Sequence, residues 1–356
     1  MSVSLREKIA QMLCFGFEGA QWSEVTTLQE WLASSDGLGW LIEFNYDCHT
    51  QAFGKNIQSF EQLQTLNRQI KENYAQHHPH RLPLWLSVDV EGGKVDRLAQ
   101  LTGYPKSPTA QNMALLSKAE RQQIWSQTAR YLKSLDFDLN FAPVVDLNLS
   151  PHHGIFGPLE RCFSNDSILV SQLAQEYIEV MHQHGLMACL KHFPGHGSAQ
   201  GDSHEGFVDV TLTFEQQELM PYQQLIQIPG VVECIMTAHV INRELDDSGM
   251  PATLSKKMIG GILRQQFQYQ GLVISDDLQM LAIAKYFTKE EAIAKAIEAG
   301  ADVLMFCNQL GADTPKDIID RIESLIDSQR IDVRLIENAY QRINYYKSLK
   351  QKFSSL

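Results

Sequence analysis

The chain has 356 residues, which is enough for two ordinary domains or for one large α/β barrel. Its hydrophobic content of 44% and charged content of 20% are typical of a soluble globular protein with a large core. The net charge of −12 argues against nucleic acid or an anionic membrane as the main partner. We therefore expect neither of them to be a partner.

The first residues, Met1 to Lys8, lack the basic segment and apolar core of a secretory signal. No apolar run approaches the ~20 residues that a membrane span requires. The six cysteines have no CxxC spacing, and four of them, Cys14, Cys189, Cys234 and Cys307, fall inside apolar runs that suit reduced, buried thiols. These features predict a cytoplasmic protein.

Eight apolar runs bounded by turn residues predict strands, and stretches with helical spacing lie between most of them. The predicted strands are Met12–Phe17, Gly39–Phe44, Leu84–Val90, Phe137–Val145, Leu186–Leu190, Cys234–Val240, Leu272–Ser275 and Val303–Phe306. The predicted helices include Phe60–Tyr74, Lys118–Leu135, Ile168–His184, Phe214–Ile226 and Glu290–Ala299. This alternation predicts an α/β fold of the (β/α)8 barrel type.

A doubly wound open sheet is the competing architecture, but no GxGxxG motif follows an early strand. No linker rich in proline, glycine or serine divides the chain. We therefore expect one domain over residues 1–356, with a closing amphipathic helix over about 331–353.

Polar residues collect at the C-terminal ends of the predicted strands, where barrel enzymes build their active sites. They are Asp89 and Arg97 after strand three, Asp146 and then Arg161 after strand four, Lys191 and His192 after strand five, His239 after strand six, and Asp276 and Asp277 after strand seven. The N-terminal strand ends carry no comparable set. This asymmetry predicts an active site at the C-terminal ends.

The densest of these segments is Lys191-His192-Phe193-Pro194-Gly195-His196-Gly197, which is followed after four residues by Asp202-Ser203-His204. Proline and glycine prevent this segment from continuing as a helix, so a rigid loop is predicted. His192 and His196 are four residues apart, as in helical zinc motifs, but without a helix they do not share a face. A metal-dependent hydrolase is therefore the weaker interpretation.

Retaining hydrolysis of a glycosidic bond needs a carboxylate nucleophile and a proton donor on opposite sides of the anomeric carbon. Asp276 and Asp277 are both candidates for the nucleophile, and the residues alone do not choose between them. Asp202 and His204 could form a dyad in which the carboxylate orients an imidazole that gives and then takes a proton. Each residue also has a structural alternative, since an aspartate at a strand end often caps the next helix.

Asp89, Arg97, Arg161 and Lys191 would suit a polyhydroxylated sugar, because they combine several N–H donors with a carboxylate acceptor. The cations could equally form ordinary ion pairs within the barrel. Trp40 and Trp85 lie inside apolar runs, and we expect both in the core.

The 191–204 block resembles the signature of the glycoside hydrolase family 3 β-N-acetylhexosaminidases, and in particular of the bacterial cytoplasmic enzymes of peptidoglycan recycling. Five other blocks agree in order: Asp89 to Arg97, Asn140 to Asp146, Met236 to Val240, Pro251 to Ser255 and Ser275 to Met280. Together they span roughly residues 5 to 310.

The resemblance implies a single-domain (β/α)8 hydrolase that removes terminal β-linked N-acetylglucosamine from peptidoglycan-derived fragments, with retention and through a glycosyl-aspartate. It implies Asp276 as nucleophile, His204 as acid/base with Asp202 as its partner, and no metal or organic cofactor. The sugar-binding positions that it implies are Asp89, Arg97, Arg161, Lys191 and His192.

Three alternatives accompany this interpretation. A phosphorylase of the same family would use phosphate instead of water, a hexosaminidase could act on chitin oligosaccharides or other β-glycosides, and a retained barrel could bind sugar without catalysis. The chain departs from the family pattern at Val90, Lys94, Cys162 and Phe44, and the loop Tyr46 to Ile57 is divergent. These departures leave the leaving-group side of the site open.

Overall fold

The computed structural model describes residues 3–201, 206 and 208–353, with the backbone alone for 351–353. Eight parallel strands form its central sheet. They are β1 Leu13–Gly16, β2 Trp40–Glu43, β3 Trp85–Val88, β4 Leu139–Asn140, β5 Met187–Phe193, β6 Cys234–Thr237, β7 Leu272–Ile274 and β8 Leu304–Phe306.

The strand order shows that this sheet is a barrel. Strands β1 to β7 pair in chain order, β8 pairs with β1 in parallel, and a parallel bridge between Ile274 and Val303 joins β7 to the start of β8. The predicted (β/α)8 barrel is therefore confirmed, and the open doubly wound sheet is excluded. We call the end at which the strands finish the C-terminal rim, and the opposite end the base.

All eight strands differ from their predicted bounds by one residue or more, and backbone hydrogen bonding explains the two clearest cases, β4 and β5. β5 extends to Phe193, three residues beyond the predicted end, so Lys191 and His192 lie inside the strand. β4 is confined to Leu139–Asn140, although a strand was predicted to Val145. Pro143 has no N–H for the ladder, and pairing with β5 resumes only as an isolated bridge between Val144 and Lys191.

Helices and shorter elements connect the strands. The α-helices are α1 Leu5–Gln11, α2 Thr26–Ala33, α3 Phe60–His77, α4 Ala110–Ala114, α5 Lys118–Ser134, α6 Ser167–Gln183, α7 Met220–Ile226, α8 Leu281–Ala284, α9 Lys289–Ala299, α10 Pro315–Asp327 and α11 Val333–Phe353. A 3₁₀ helix, Gln216–Leu219, precedes α7, and a π-helical segment, Lys257–Gln266, precedes β7. No described helix is long and apolar enough to cross a membrane.

Local sequence signals explain where several helices begin. Capping boxes start α3 at Ser59, α5 at Ser117 and α9 at Thr288, each with a Gln or Glu three residues later. Such caps satisfy backbone N–H groups that the first turn leaves without partners. Helix α11 lies where the sequence predicted a closing helix over about 331–353.

One large apolar core includes the strands and the inner faces of the helices. Trp40 and Trp85 are buried in it and pack edge to face, with ring centroids 4.8 Å apart, as the sequence predicted. Cys14, Cys189, Cys234 and Cys307 are likewise buried.

The base contradicts one expectation, since buried charges do occur at N-terminal strand ends. Asp138, just before β4, binds Lys71 Nζ at 2.8 Å and Lys350 Nζ at 2.7 Å. Asp302, just before β8, binds Arg264 and Arg342 at 2.6 and 2.8 Å. The cations come from helices and from the π-helical segment, so the polarity of the strand ends did not reveal them.

Candidate active site

A buried ionic cluster occupies the C-terminal rim between β3 and β5. Lys191 Nζ lies 2.8 Å from Asp89 Oδ1 and 2.7 Å from Glu91 Oε1. Arg161 binds the carboxylate of Glu91 through Nε and a terminal nitrogen, both at 2.8 Å. Its guanidinium also lies over the ring of Phe156 at 4.5 Å. Two carboxylates therefore hold the ammonium of Lys191.

We divide the cluster into a closed layer of buried side chains, Glu91 and Lys191, and an open layer of partly exposed side chains, Asp89 and Arg97. The side chains of Glu91 and Lys191 are 4% and 3% exposed, whereas those of Asp89 and Arg97 are 15% and 29% exposed. Burial alone would raise the pKa of Glu91, but Arg161 and Lys191 outweigh that effect and hold it well below its usual range. The ionised inner pair therefore supports the two groups that a sugar could reach.

His192 and the following turn are held by Asp146, which is buried at the end of the β4 region. Its carboxylate contacts His192 Nδ1 at 2.8 Å and accepts the backbone N–H groups of His192 and His196. Burial would raise the pKa of Asp146, but His192 and these hydrogen bonds lower it. Asp146 therefore fixes the ring of His192, as a carboxylate partner of an imidazole does.

The two aspartates after β7 have different surroundings. Asp277 is buried, and its Oδ1 accepts the N–H groups of Gln279 and Cys307, at 3.1 and 3.2 Å. Burial raises the pKa of Asp277 to about 7. Asp276 is half-buried, and its Oδ1 accepts the N–H of Asp277 at 2.8 Å. Asp277 thus joins β7 to β8, and Asp276 is the better placed of the two to meet a substrate.

Cys307 directly follows β8, and its buried thiol lies near several carboxylates. Burial raises its pKa well above the usual value, and the carboxylates of Asp277, Asp276 and Asp89 raise it further. Asp89 and Asp276, which lie 187 residues apart in the sequence, are therefore both within electrostatic range of one buried atom. The fold brings the predicted sugar-binding and nucleophile positions to the same rim of the barrel, after β3 and β7.

The predicted dyad, Asp202 and His204, lies outside the described residues. Within the described ranges 3–201, 206 and 208–353, no three His, Cys, Asp or Glu side chains are grouped as metal ligands. The assignments of Asp202 and His204, and catalysis without a metal, stay predictions.

The sequence interpretation missed three carboxylates that the site uses: Glu91, Asp146 as a partner of His192, and Glu218. Strand alternation could have found Glu91, because residues 89 and 91 project to the same side of an extended chain. Glu218 gave no such signal, since Glu215 and Glu218 read as an ordinary helix start. The groups that its carboxylate binds, the N–H groups of Gly197 and Ser198, lie 21 and 20 residues earlier in the sequence.

Comparison with known proteins agrees with this geometry. The model of the glycosyl hydrolase family 3 N-terminal domain matches residues 4–345, which is nearly the whole chain. The chain belongs to glycosyl hydrolase family 3.

Curated relatives of this family 3 chain carry hexosaminidase names. A β-hexosaminidase of Tolumonas auensis is 37% identical over 266 residues, covering 72% of this chain and 74% of the relative. A β-hexosaminidase of Histophilus somni is 33% identical over 321 residues, covering 83% and 87%. The resemblance inferred from the motifs is thereby confirmed.

Solved structures agree in fold with this family 3 chain. A family 3 β-N-acetylglucosaminidase from a Paenibacillus species has a TM-score of 0.86 and 28% identity, covering 99% of this chain. The chain spans 64% of that enzyme's length. A family 3 glycosyl hydrolase from Mycobacterium smegmatis has a TM-score of 0.80 and 28% identity, with 96% of each chain covered. As a family 3 member, the protein is a glycoside hydrolase.

Proposed function

We propose that this protein is a retaining β-N-acetylglucosaminidase in which Asp276 is the nucleophile and His204, oriented by Asp202, is the acid/base. Asp89, Arg97, Arg161, Lys191 and His192 form the sugar-binding side of the same site. The names of the relatives support the substrate class, and the arrangement of the rim supports the roles.

The observation that carries the proposal is the contrast between Asp276 and its neighbour. Asp277 uses its carboxylate to hold two backbone N–H groups, while Asp276 stays half-buried on the rim with one oxygen oriented by the N–H of Asp277. An oriented, reachable carboxylate beside a polar cluster is what attack on an anomeric carbon requires.

The reaction has two steps. Asp276 Oδ forms a bond to the anomeric carbon while the bond to the leaving oxygen breaks and His204 protonates that oxygen. Water then attacks the anomeric carbon, His204 takes the proton, and the bond to Asp276 breaks, which restores the enzyme. Asp89 and Arg97 hold the sugar hydroxyls through both steps, and Lys191 holds the Asp89 carboxylate in place.

Peptidoglycan-derived muropeptides are the natural substrate that we propose, with hydrolysis in the cytoplasm. The residue blocks from 89–97 to 275–280 support this substrate through their resemblance to enzymes of peptidoglycan recycling. We also propose that residues 1–356 act as one catalytic domain, which the single large apolar core supports.

Release of nitrophenol from p-nitrophenyl β-N-acetylglucosaminide tests the proposal, with EDTA present throughout. Loss of a nucleophile from a catalytic set lowers kcat by on the order of 10⁴-fold or more, and we expect this of Asp276→Ala. The control is Asp247→Ala, since the Asp247 side chain is 81% exposed and pairs with Lys257 at the surface. Equal activity of wild type and Asp276→Ala would overturn the nucleophile assignment.

Three further measurements separate the alternatives. Formation of sugar 1-phosphate on addition of phosphate would replace the hydrolase with a phosphorylase. A higher kcat/KM on chitobiose than on an N-acetylglucosaminyl muropeptide would replace the proposed natural substrate. Binding of N-acetylglucosamine without any turnover would favour a sugar-binding protein.

A further inference from the structure

The turn that follows β5, residues 194–198, is held between two buried carboxylates. Asp146 accepts the N–H of His196 at 2.8 Å, and Glu218 Oε2 accepts the N–H groups of Gly197 and Ser198 at 3.0 and 3.3 Å. Asp146 and Glu218 are each 1% exposed. Three successive N–H groups of the turn are therefore fixed by carboxylates from two different elements.

Glu218 lies in the 3₁₀ helix Gln216–Leu219, and one of its two carboxylate oxygens caps the start of that helix. Oε1 accepts the N–H of Glu215 at 3.3 Å and caps the helix start, while Oε2 is directed to the turn. Burial raises the pKa of Glu218 to about 7, and Asp146 raises it as well. Burying a carboxylate costs free energy, so the burial of Glu218 against a loop indicates that the carboxylate has a role there.

The turn is also in tight contact with Glu218 and with the segment that follows β4. A Cβ added to Gly195, whose φ is +135°, would lie 2.6 Å from Glu218 Cβ. A Cβ added to Gly197 would lie 1.7 Å from the carbonyl oxygen of Leu147. The two glycines let the backbone pass between these elements, and the contacts leave the turn little room to shift.

We propose that Glu218 is a positioning residue, which fixes the base of the loop that carries the acid/base. This inference rests on the proposed function, because it takes His204 as the proton donor. Ser198 is only four residues before Asp202 in the sequence, so the anchored turn leads directly into the segment that carries the dyad. Anchoring at this point limits where the imidazole can sit relative to the glycosidic oxygen.

Leaving-group dependence separates this role from a general structural one. A phenyl leaving group needs a proton to depart, whereas a 2,4-dinitrophenyl group leaves readily without one. We expect Glu218→Gln to lower kcat/KM about tenfold or more on phenyl β-N-acetylglucosaminide and less than about threefold on the dinitrophenyl glycoside. His204→Ala should show the same pattern with a larger ratio.

Glu43→Gln is the matched control. Glu43 is also a fully buried carboxyl group, but it lies at the end of β2 against α3 and makes no hydrogen bond to the 194–198 turn. Its replacement should change kcat/KM on the two glycosides by the same factor. Azide, which replaces the water that needs a base, should speed turnover of the dinitrophenyl glycoside by His204→Ala and Glu218→Gln, but not by Glu43→Gln.

The outcomes distinguish the two proposals. Equal loss on both glycosides in His204→Ala would overturn the acid/base assignment itself. The expected pattern in His204→Ala, with equal loss or no loss in Glu218→Gln, would overturn only the positioning role. Glu218→Asp keeps the charge but withdraws the oxygen by one methylene, so it should give the same pattern and serves if Glu218→Gln does not fold.

Discussion

The two ends of the barrel both bury charges, but they do so differently. At the rim, Lys191 and Glu91 are buried beneath Asp89 and Arg97, which stay partly exposed. At the base, Asp138 is enclosed by Lys71 and Lys350, and Lys347 Nζ donates to Gln11, Gly39 and Pro83 oxygens. At the base the partly exposed ions are the cations Lys71 and Arg342, at 28% and 31%, whereas their carboxylate partners Asp138 and Asp302 are 12% and 1% exposed.

Burial of charge is therefore not by itself a mark of a functional site. The distinguishing property of the rim is its place at the C-terminal strand ends, where buried ions support a partly exposed carboxylate, Asp89, and a partly exposed cation, Arg97. The base uses the same chemistry to fix helices against strand ends, with Asp138 and Asp302 each held by two cations.

Lys191→Met should produce the largest change, because it affects both layers of the rim. It removes the ammonium from Asp89 and Glu91, which leaves buried carboxylate charge next to Arg161 alone. We expect the free energy of unfolding to fall by about 3–5 kcal/mol and kcat/KM to fall about 10²-fold or more. Urea unfolding and steady-state kinetics measure the two effects, and unchanged kinetics would remove Lys191 from the site.

Asp138→Asn should affect the base alone. It takes the carboxylate from Lys71 and Lys350, so the free energy of unfolding should fall by about 3–5 kcal/mol. We expect kcat/KM at low temperature to stay within about twofold of the wild type, because every changed contact lies at the opposite end of the strands. A large loss of activity in folded Asp138→Asn would remove the distinction between the two ends.

Arg97→Met tests the open layer of the rim. The guanidinium lies 3.7 Å from Asp89 Oδ2 and 5.6 Å over the ring of Phe44, and its side chain is 29% exposed. We expect kcat/KM to fall about tenfold through a lost charged hydrogen bond to substrate, with the free energy of unfolding changed by less than about 1 kcal/mol. A stability loss as large as that of Lys191→Met would place Arg97 in the closed layer.

Glu43→Gln isolates the effect of burial without a charged partner. Burial raises the pKa of Glu43 to about 8, whereas the ordinary value is 4.5. The folded chain therefore keeps a proton that the unfolded chain has released, so this carboxyl makes the protein less stable as pH rises from about 4.5 to about 8. Gln has no carboxyl proton to release, so the substitution removes this dependence of stability on pH.

The melting temperature at two pH values measures this smallest effect. Glu43→Gln should raise Tm by a few degrees above about pH 8 and change it little near about pH 4.5. An equal shift at both values would mean that the ionisation of Glu43 contributes nothing.

The sequence could predict the features that depend on local pattern. The apolar runs predicted the eight strands, and the polar strand ends predicted that Asp89, Lys191 and Asp276 share one rim. Pro143 could have warned that β4 would break, because a residue without an N–H interrupts a ladder. The nucleophile came only from the family resemblance, since alternation along an extended chain does not say which of Asp276 and Asp277 faces inward.

Features that depend on distant partners could not be predicted in this way. Asp138 lies 212 residues before Lys350, and no local pattern links a strand end to the last long helix. Glu218 looks like a helix cap until the fold brings the 194–198 turn against it. The structure therefore adds the supporting carboxylates, while the groups proposed to touch substrate were already visible in the sequence.

The position of Lys347 has a consequence for synthesis of the chain. Its ammonium joins Gln11 across 336 residues, and β1 finds its second neighbour only in β8. A ribosome must therefore release the chain as far as β8 before β1 has both of its partners. Until α11 has also been made, Trp40 and Trp85 lack the helix that covers them, and the apolar surface of β2 and β3 stays incompletely buried.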